Sequence, residues 1–289
     1  MTDLPPDEVR RPATARPRGG RPDATEQQPL TDDELAAIER GLVELPRHSG
    51  AEIRDEPDVG MVISILRGRG PGYNFAGCPR WPRGEVADRL GLLERLMRGE
   101  REWPALVVAD GVSQPPALAS ELAAAGWIEV EREQTMWTRK APGVPHLDPS
   151  LRIEAVTPRT AEKYERLERE VFGLADDFAA QRTAGLEYSL SAGWLRAYLI
   201  DFDGEPVATA RLATEGGLGC IFGVGVIPEL RRRGLGTLVT AVATRAGLAS
   251  GSKVIWLSVN ELNDAALAVY RRLGYQPAFN WARWVIGAA

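Results

Sequence analysis

The 289 residues are enough for about two domains, and a composition of 44% hydrophobic and 26% charged residues is that of a water-soluble globular chain. A formal charge of −5 leaves no basic excess to neutralise a phosphate backbone, which argues against a nucleic-acid partner. No run approaches the ~18 consecutive apolar residues of a membrane span, and Cys78 and Cys220 alone build neither a disulfide framework nor a zinc site. These features predict a reduced, cytoplasmic protein without a membrane partner; nothing in them specifies an oligomeric state.

Residues 1–30 hold six prolines, five arginines and five acids, with almost nothing apolar. Such a segment cannot bury enough surface to offset its ordering entropy, so it is expected to be a disordered tail. A helix is predicted over 31–45, where Thr31 and Glu34 form a capping box and Leu35, Ile38, Leu42 and Leu45 share a face. A strand at 61–66 leads into a glycine-rich loop that ends near Gly84. A helix at 85–97, a strand at 105–110, a helix at 115–127 stopped by Gly126, and a strand at 133–139 complete this half. Three prolines within 141–150 mark a linker. Both histidines, His48 and His146, fall in predicted loop or linker and receive no chemical role.

The second half opens with a strand at 151–156 and a helix begun by Thr157 and Pro158, followed by a helical region near 176–192. Strands at 194–201 and 206–213 flank Asp203-Gly204, a hairpin signal. A strand at 218–227 then runs through an arginine- and glycine-rich segment into a helix ending near 250. A strand at 253–260, a helix at 263–275 and a final strand at 281–287 follow. Hairpins mixed with crossover helices predict an α/β fold with a sheet of mixed direction.

Chemistry concentrates in residues 218–275. The segment Arg231-Arg232-Arg233-Gly234-Leu235-Gly236-Thr237 sits where a strand gives way to a helix. Free N–H groups of a first helical turn and the positive end of its dipole attract anions, glycines permit close approach, and arginines bind phosphate. Taken alone, the segment is either such a site or a solvated helix start. Gly223 and Gly225 within a strand signal either an ordinary bulge or the close approach of a ligand or another backbone. Asn263 suits a helix N-cap, and Ala266, Val269, Tyr270 and Leu273 fall on one face.

Arg231-x-x-Gly234-x-Gly236 and the ungapped Asn263-x-x-Ala266-x-x-x-Tyr270-x-x-x-Gly274-Tyr275 together resemble the motifs of the GNAT family of acetyl-CoA-dependent N-acetyltransferases. The resemblance covers about residues 150–289. It implies that Arg231 and the backbone N–H groups of Arg232, Arg233, Gly234, Leu235, Gly236 and Thr237 hold the diphosphate of coenzyme A. It also implies that Val224, Gly225 and Val226 pair with pantetheine and that Asn263 contacts the same arm. Tyr270 is then the general acid that protonates the departing thiolate, a role suited to a phenol of pKa about 10. The co-substrate is acetyl-CoA, no metal is needed, and the acceptor is a primary amine of a small molecule or peptide. Many relatives place a glutamate on the strand before the loop as general base; here that position is near Cys220, and 218–227 holds no carboxylate or histidine. Water, the backbone, or a group elsewhere, such as Glu215 or a residue of 176–187, is left to take the proton. The alternatives are a catalytically weak acyl-CoA-binding regulatory or interaction module, and a related acyl transfer to a different nucleophile or from a longer acyl donor.

A shift of 148 residues aligns landmarks of the two halves: Arg83 with Arg231, Leu90 with Leu238, and Gly126-Trp127 with Gly274-Tyr275. The chemistry does not survive the shift, because Gly234 and Gly236 fall on Val86 and Asp88, and Tyr270 falls on Leu122. The expected organisation is therefore two GNAT-like mixed-sheet domains after the tail. A degenerate one spans 31–140, a linker 141–150, and an intact acetyl-CoA-binding one 151–289.

Overall fold

The computed structural model describes residues 27–144 and 148–287. The tail residues 1–26 and His146 lie outside them. Residues 27–30, assigned to the tail above, are instead docked: Gln27 is buried, its Nε2 donates to the Gly274 carbonyl at 2.8 Å, and its Oε1 accepts from the Arg139 amide at 2.6 Å. One side chain with two backbone partners offsets the ordering entropy that composition alone assigned to the segment.

Helix α1 (Asp32–Glu44) begins as its sequence dictates. The Thr31 hydroxyl accepts from the Glu34 amide at 3.2 Å while the Glu34 carboxylate accepts from the Thr31 amide at 2.9 Å. The other elements of the first half are β1 (Glu52–Glu56), β2 (Met61–Ile65), β3 (Phe75–Gly77), α2 (Val86–Gly99), β4 (Ala105–Ala109), α3 (Leu118–Ala124) and β5 (Trp127–Thr138). The second half holds β6 (Leu151–Ala155), α4 (Ala161–Phe172), α5 (Ala179–Ser191), β7 (Leu195–Phe202), β8 (Glu205–Glu215) and β9 (Leu218–Val226). It ends with α6 (Leu235–Ala249), β10 (Val254–Asn260), α7 (Asp264–Arg272) and β11 (Gln276–Ile286). Strands β1 and β3 have no counterpart in the sequence expectation; β1 is charged at most positions, and β3 is three residues inside the glycine-rich stretch. Asp203 (φ +53°) and Gly204 (φ +92°) close the β7–β8 hairpin with both central residues left-handed, as a primed turn requires.

All strands join one sheet, in the order β1-β2-β3-β4-β11-β5-β10-β9-β8-β7-β6. The two halves repeat: β3 runs parallel to β4 as β9 does to β10, and the flanking pairs are antiparallel. A shift of 148 brings the starts of α1, α2, β4, α3 and β5 to within two residues of those of α5, α6, β10, α7 and β11. The halves nevertheless exchange their last strands. β11, from the second half, pairs with β4, and β5, from the first, pairs with β10. One face of the sheet carries α2, α3, α6 and α7 over two apolar clusters built around Leu106 and Leu257; the other carries α1, α4 and α5. Under α1 the core is aromatic, with Trp137, Trp256, Phe279 and Trp281.

Candidate active site

Strands β9 and β10 part company. They pair only where Leu218, Gly219 and Cys220 meet Val254, Ile255 and Trp256. Further along, β9 is held by β8 alone and β10 by β5 alone. The departure starts at a bulge. Gly223 takes φ +61°, a conformation that favours glycine, the β8–β9 register shifts between Thr209 and Arg211, and the buried Thr209 hydroxyl donates to the Gly223 carbonyl at 2.7 Å. A Cβ at Gly223 would stand 3.1 Å from the Glu168 carboxylate, and one at Gly225 would collide with Val171 and, at 2.9 Å, with Phe172. Gly225 thus lets the end of α4 lie directly on β9. That is the close approach of another element, one of the alternatives open at that glycine.

The chain leaves β9 through the single turn Pro228–Leu230 and enters α6 at Gly234, its N-cap, with φ +83°. Arg231 folds back, its Nε donating to the Val226 carbonyl at 3.1 Å, and Arg232 is left-handed at φ +65°. These residues are exposed through Gly234. The first-turn amides of Leu235, Gly236 and Thr237 have no intrahelical acceptor, and a Cβ on Gly236 would meet only Val226, at 3.7 Å. Packing therefore does not demand glycine at 236.

Val224, Asn263 and Tyr270 line one cavity of about 470 Å³ at the splay. Asn263 caps α7, its Oδ1 accepting from the Ala266 amide at 3.1 Å. Tyr270 is 6% exposed, and burial, with the charge of Glu133, pushes its phenol up to about 12, so it stays protonated at neutral pH. Gly225, Val226 and residues 231–237 do not line this cavity; the start of α6 lies next to the end of β9, where a Cβ on Gly236 would stand 3.7 Å from Val226.

Part of the remaining lining comes from the first half and was missed in the sequence: Glu131 and Glu133 of β5, Phe75 of β3, Leu42 of α1 and Pro46 in the turn after it; Trp281 and Arg283 of β11 join them. Burial, reinforced by Glu131 and opposed by Arg283, pushes the Glu133 carboxyl up to about 7. The groups suggested earlier as proton acceptors lie elsewhere. Glu215 pairs with Arg47 at the far end of β8 with a side chain 73% exposed, and Asp176 pairs with Arg169 on the surface. His48 is not in an open loop but stacks on Phe222, 6.0 Å between ring centroids, and burial lowers its pKa to about 4. A second cavity of about 540 Å³ adjoins the first at Phe222 and Gly223. It runs between the 66–73 loop and α4–α5, past Arg69, which lies over the Phe178 ring at 4.2 Å, and past the buried Glu168–Arg211 pair.

The chain thus has a sheet splayed beside a glycine-bounded helix N-terminus, with the buried Tyr270 phenol lining the cavity at the splay. Residues 161–275 match the Acetyltransferase (GNAT) family. A GCN5-related N-acetyltransferase from Kribbella flavida superposes with a TM-score of 0.71 at 22% identity, over 91% of this chain and 98% of that one. A tandem GNAT protein from the clavulanic acid biosynthesis pathway gives 0.60 at 19% identity, over 79% of each chain. A GCN5-related N-acetyltransferase from Sphaerobacter thermophilus gives 0.60 at 16%, over 89% of this chain and 93% of that one. At such identities the likeness is one of fold, and it extends over both halves.

Proposed function

We propose that the protein is an acetyl-CoA-dependent N-acetyltransferase that acetylates a primary amine of a small molecule or peptide by direct attack. The observation that carries this reading is the meeting of Val224, Asn263 and Tyr270 in one cavity at the splay of β9 from β10. The first-turn amides of α6 and Arg231–Arg233 would take the diphosphate, the free edge of β9 would take the pantetheine amides, and Tyr270 would protonate the thiolate. In this reading the first half holds no coenzyme. Several features support that. At the equivalent place α2 begins with Glu85 and Asp88, which repel a diphosphate; Leu122, in the place of Tyr270, is fully buried core. The edge of the chain beyond β3 is occupied by Gln114, which donates to the Pro79 carbonyl at 2.9 Å and accepts from the Trp81 amide at 3.2 Å.

Titration calorimetry with acetyl-CoA tests the proposal. One site per chain is expected, abolished by Gly236→Glu and untouched by Asp88→Asn. Two sites would refute a coenzyme-free first half, and no binding would refute the whole reading. Binding without thiol release across a panel of amines would make the protein an acyl-CoA-binding module instead.

A further inference from the structure

We infer that Glu133, carried by the first half on β5, is the proton acceptor for the substrate amine in the acetyl transfer proposed above, on which this inference rests. The strand exchange places it there. β5 crosses to pair with β10, so that Glu133 stands opposite Asn260 on one side and opposite Trp281 of β11 on the other. It lines the same cavity as Tyr270 and the free edge of β9 at Val224.

Among the described residues its carboxylate has no ion pair and no hydrogen bond. The neighbouring Arg283 is 3.1 Å from Glu131 instead. The titratable groups facing Glu133 are Glu131 on its own strand, Arg283 on β11, Tyr270 on α7 and the Cys220 thiol on β9; Leu42 of α1 and Leu45 and Pro46 just after it, also at the cavity, carry no charge. An unpaired, largely buried carboxyl that titrates near 7 is suited to accept a proton from an ammonium at neutral pH. The other buried acid near the site, Glu168, is held by Arg211, and burial keeps the His48 imidazole too weak a base.

In the step, the substrate ammonium gives one proton to the Glu133 carboxylate. The freed nitrogen lone pair attacks the thioester carbonyl carbon, so that a C–N bond forms and the C–S bond breaks. Sulfur leaves with the C–S electron pair and takes the Tyr270 proton. The surplus proton on the amide nitrogen restores the phenol, and Glu133 releases its proton to water. The products are an amide, coenzyme A and one proton.

The test follows thiol release from acetyl-CoA with benzylamine, glycinamide and putrescine as probe amines, across the neutral pH range, for the wild type, Glu133→Gln and Glu133→Asp. The wild-type kcat/KM should rise about tenfold per pH unit below about 7, and Glu133→Gln should lose that limb and at least about 10²-fold in rate. Glu133→Asp should keep the limb at an intermediate rate, and acetyl-CoA affinity, which also certifies folding, should be unchanged in both variants. Should Glu133→Gln fail to bind acetyl-CoA, the aspartate profile decides alone: loss of the limb there overturns the inference. An unaltered profile in Glu133→Gln, or a loss confined to KM, overturns it as well. A wild type that binds no acetyl-CoA, or releases no thiol with any probe, overturns the acetyltransferase reading itself, and the role of Glu133 falls with it.

Discussion

Tyr270 and Glu133 show how burial sets protonation at this site. Both are pushed toward their protonated forms, the phenol to about 12 and the carboxyl to about 7, and only the second change falls within the physiological range. Tyr270→Phe should lower kcat by about 10²-fold or more while leaving acetyl-CoA affinity within a few-fold, measured by steady-state kinetics beside calorimetry. Glu133 also leaves a mark on stability. A glutamate ordinarily titrates at about 4.3, so between that pH and about 7 the folded state holds more protons than the unfolded one. Stability from this group is therefore full at low pH and lost as pH rises through about 7. Glu133→Gln should raise the Tm at pH 8 and leave it nearly unchanged at pH 4, which thermal melts across that range would check. A free carboxyl in this cavity is a burden on the fold, one that the role proposed for Glu133 would account for.

At the scale of single elements, glycines decide how closely helices meet the sheet. Gly225→Ala drives a methyl group into Val171 and Phe172 of α4, so a loss of about 1–3 kcal/mol is expected, read from denaturant midpoints at constant m-value. Gly41 does the same for α1, where a Cβ would stand 2.7 Å from the Trp256 ring. The helices themselves were legible. The capping box at Thr31, the Asp203-Gly204 turn and the Asn263 cap are local chemistry, and the chain obeys each. What local patterns missed is equally physical: the charged β1 and the three-residue β3 are stabilised by their neighbours in the sheet rather than by any periodicity of their own.

At the scale of the whole molecule, the exchange of β5 and β11 ties the two halves into one sheet. Leu122→Ala, in the core of the first half, should cost about 2–5 kcal/mol, measured by chemical unfolding, with acetyl-CoA affinity unchanged in the folded protein. Separately expressed fragments 27–140 and 148–289 should each stay incompletely folded by circular dichroism, because each would leave an exchanged strand without its partners. Mixing them should restore a one-to-one complex on size-exclusion chromatography. Two independently folded, non-associating fragments would contradict this.

The order of elements, the 148-residue repeat and the coenzyme motifs could be read from the chain because they depend on neighbours a few positions apart or on a constant spacing. Tyr270 and Asn263 were singled out in that way, and they line one cavity. Glu133 could not be. The only trace in the sequence is a carboxylate at every second position, Glu129, Glu131 and Glu133, and a bulge between β5 and β11 breaks even that pattern, leaving Glu129 to pair with Arg132. Its place at the mouth of the splay depends on β5 crossing into the other half, a pairing between strands more than a hundred residues apart. Local sequence chemistry determined which half bears the GNAT-like motifs; only the tertiary exchange of strands decided that Glu133, from the other half, lines the same cavity.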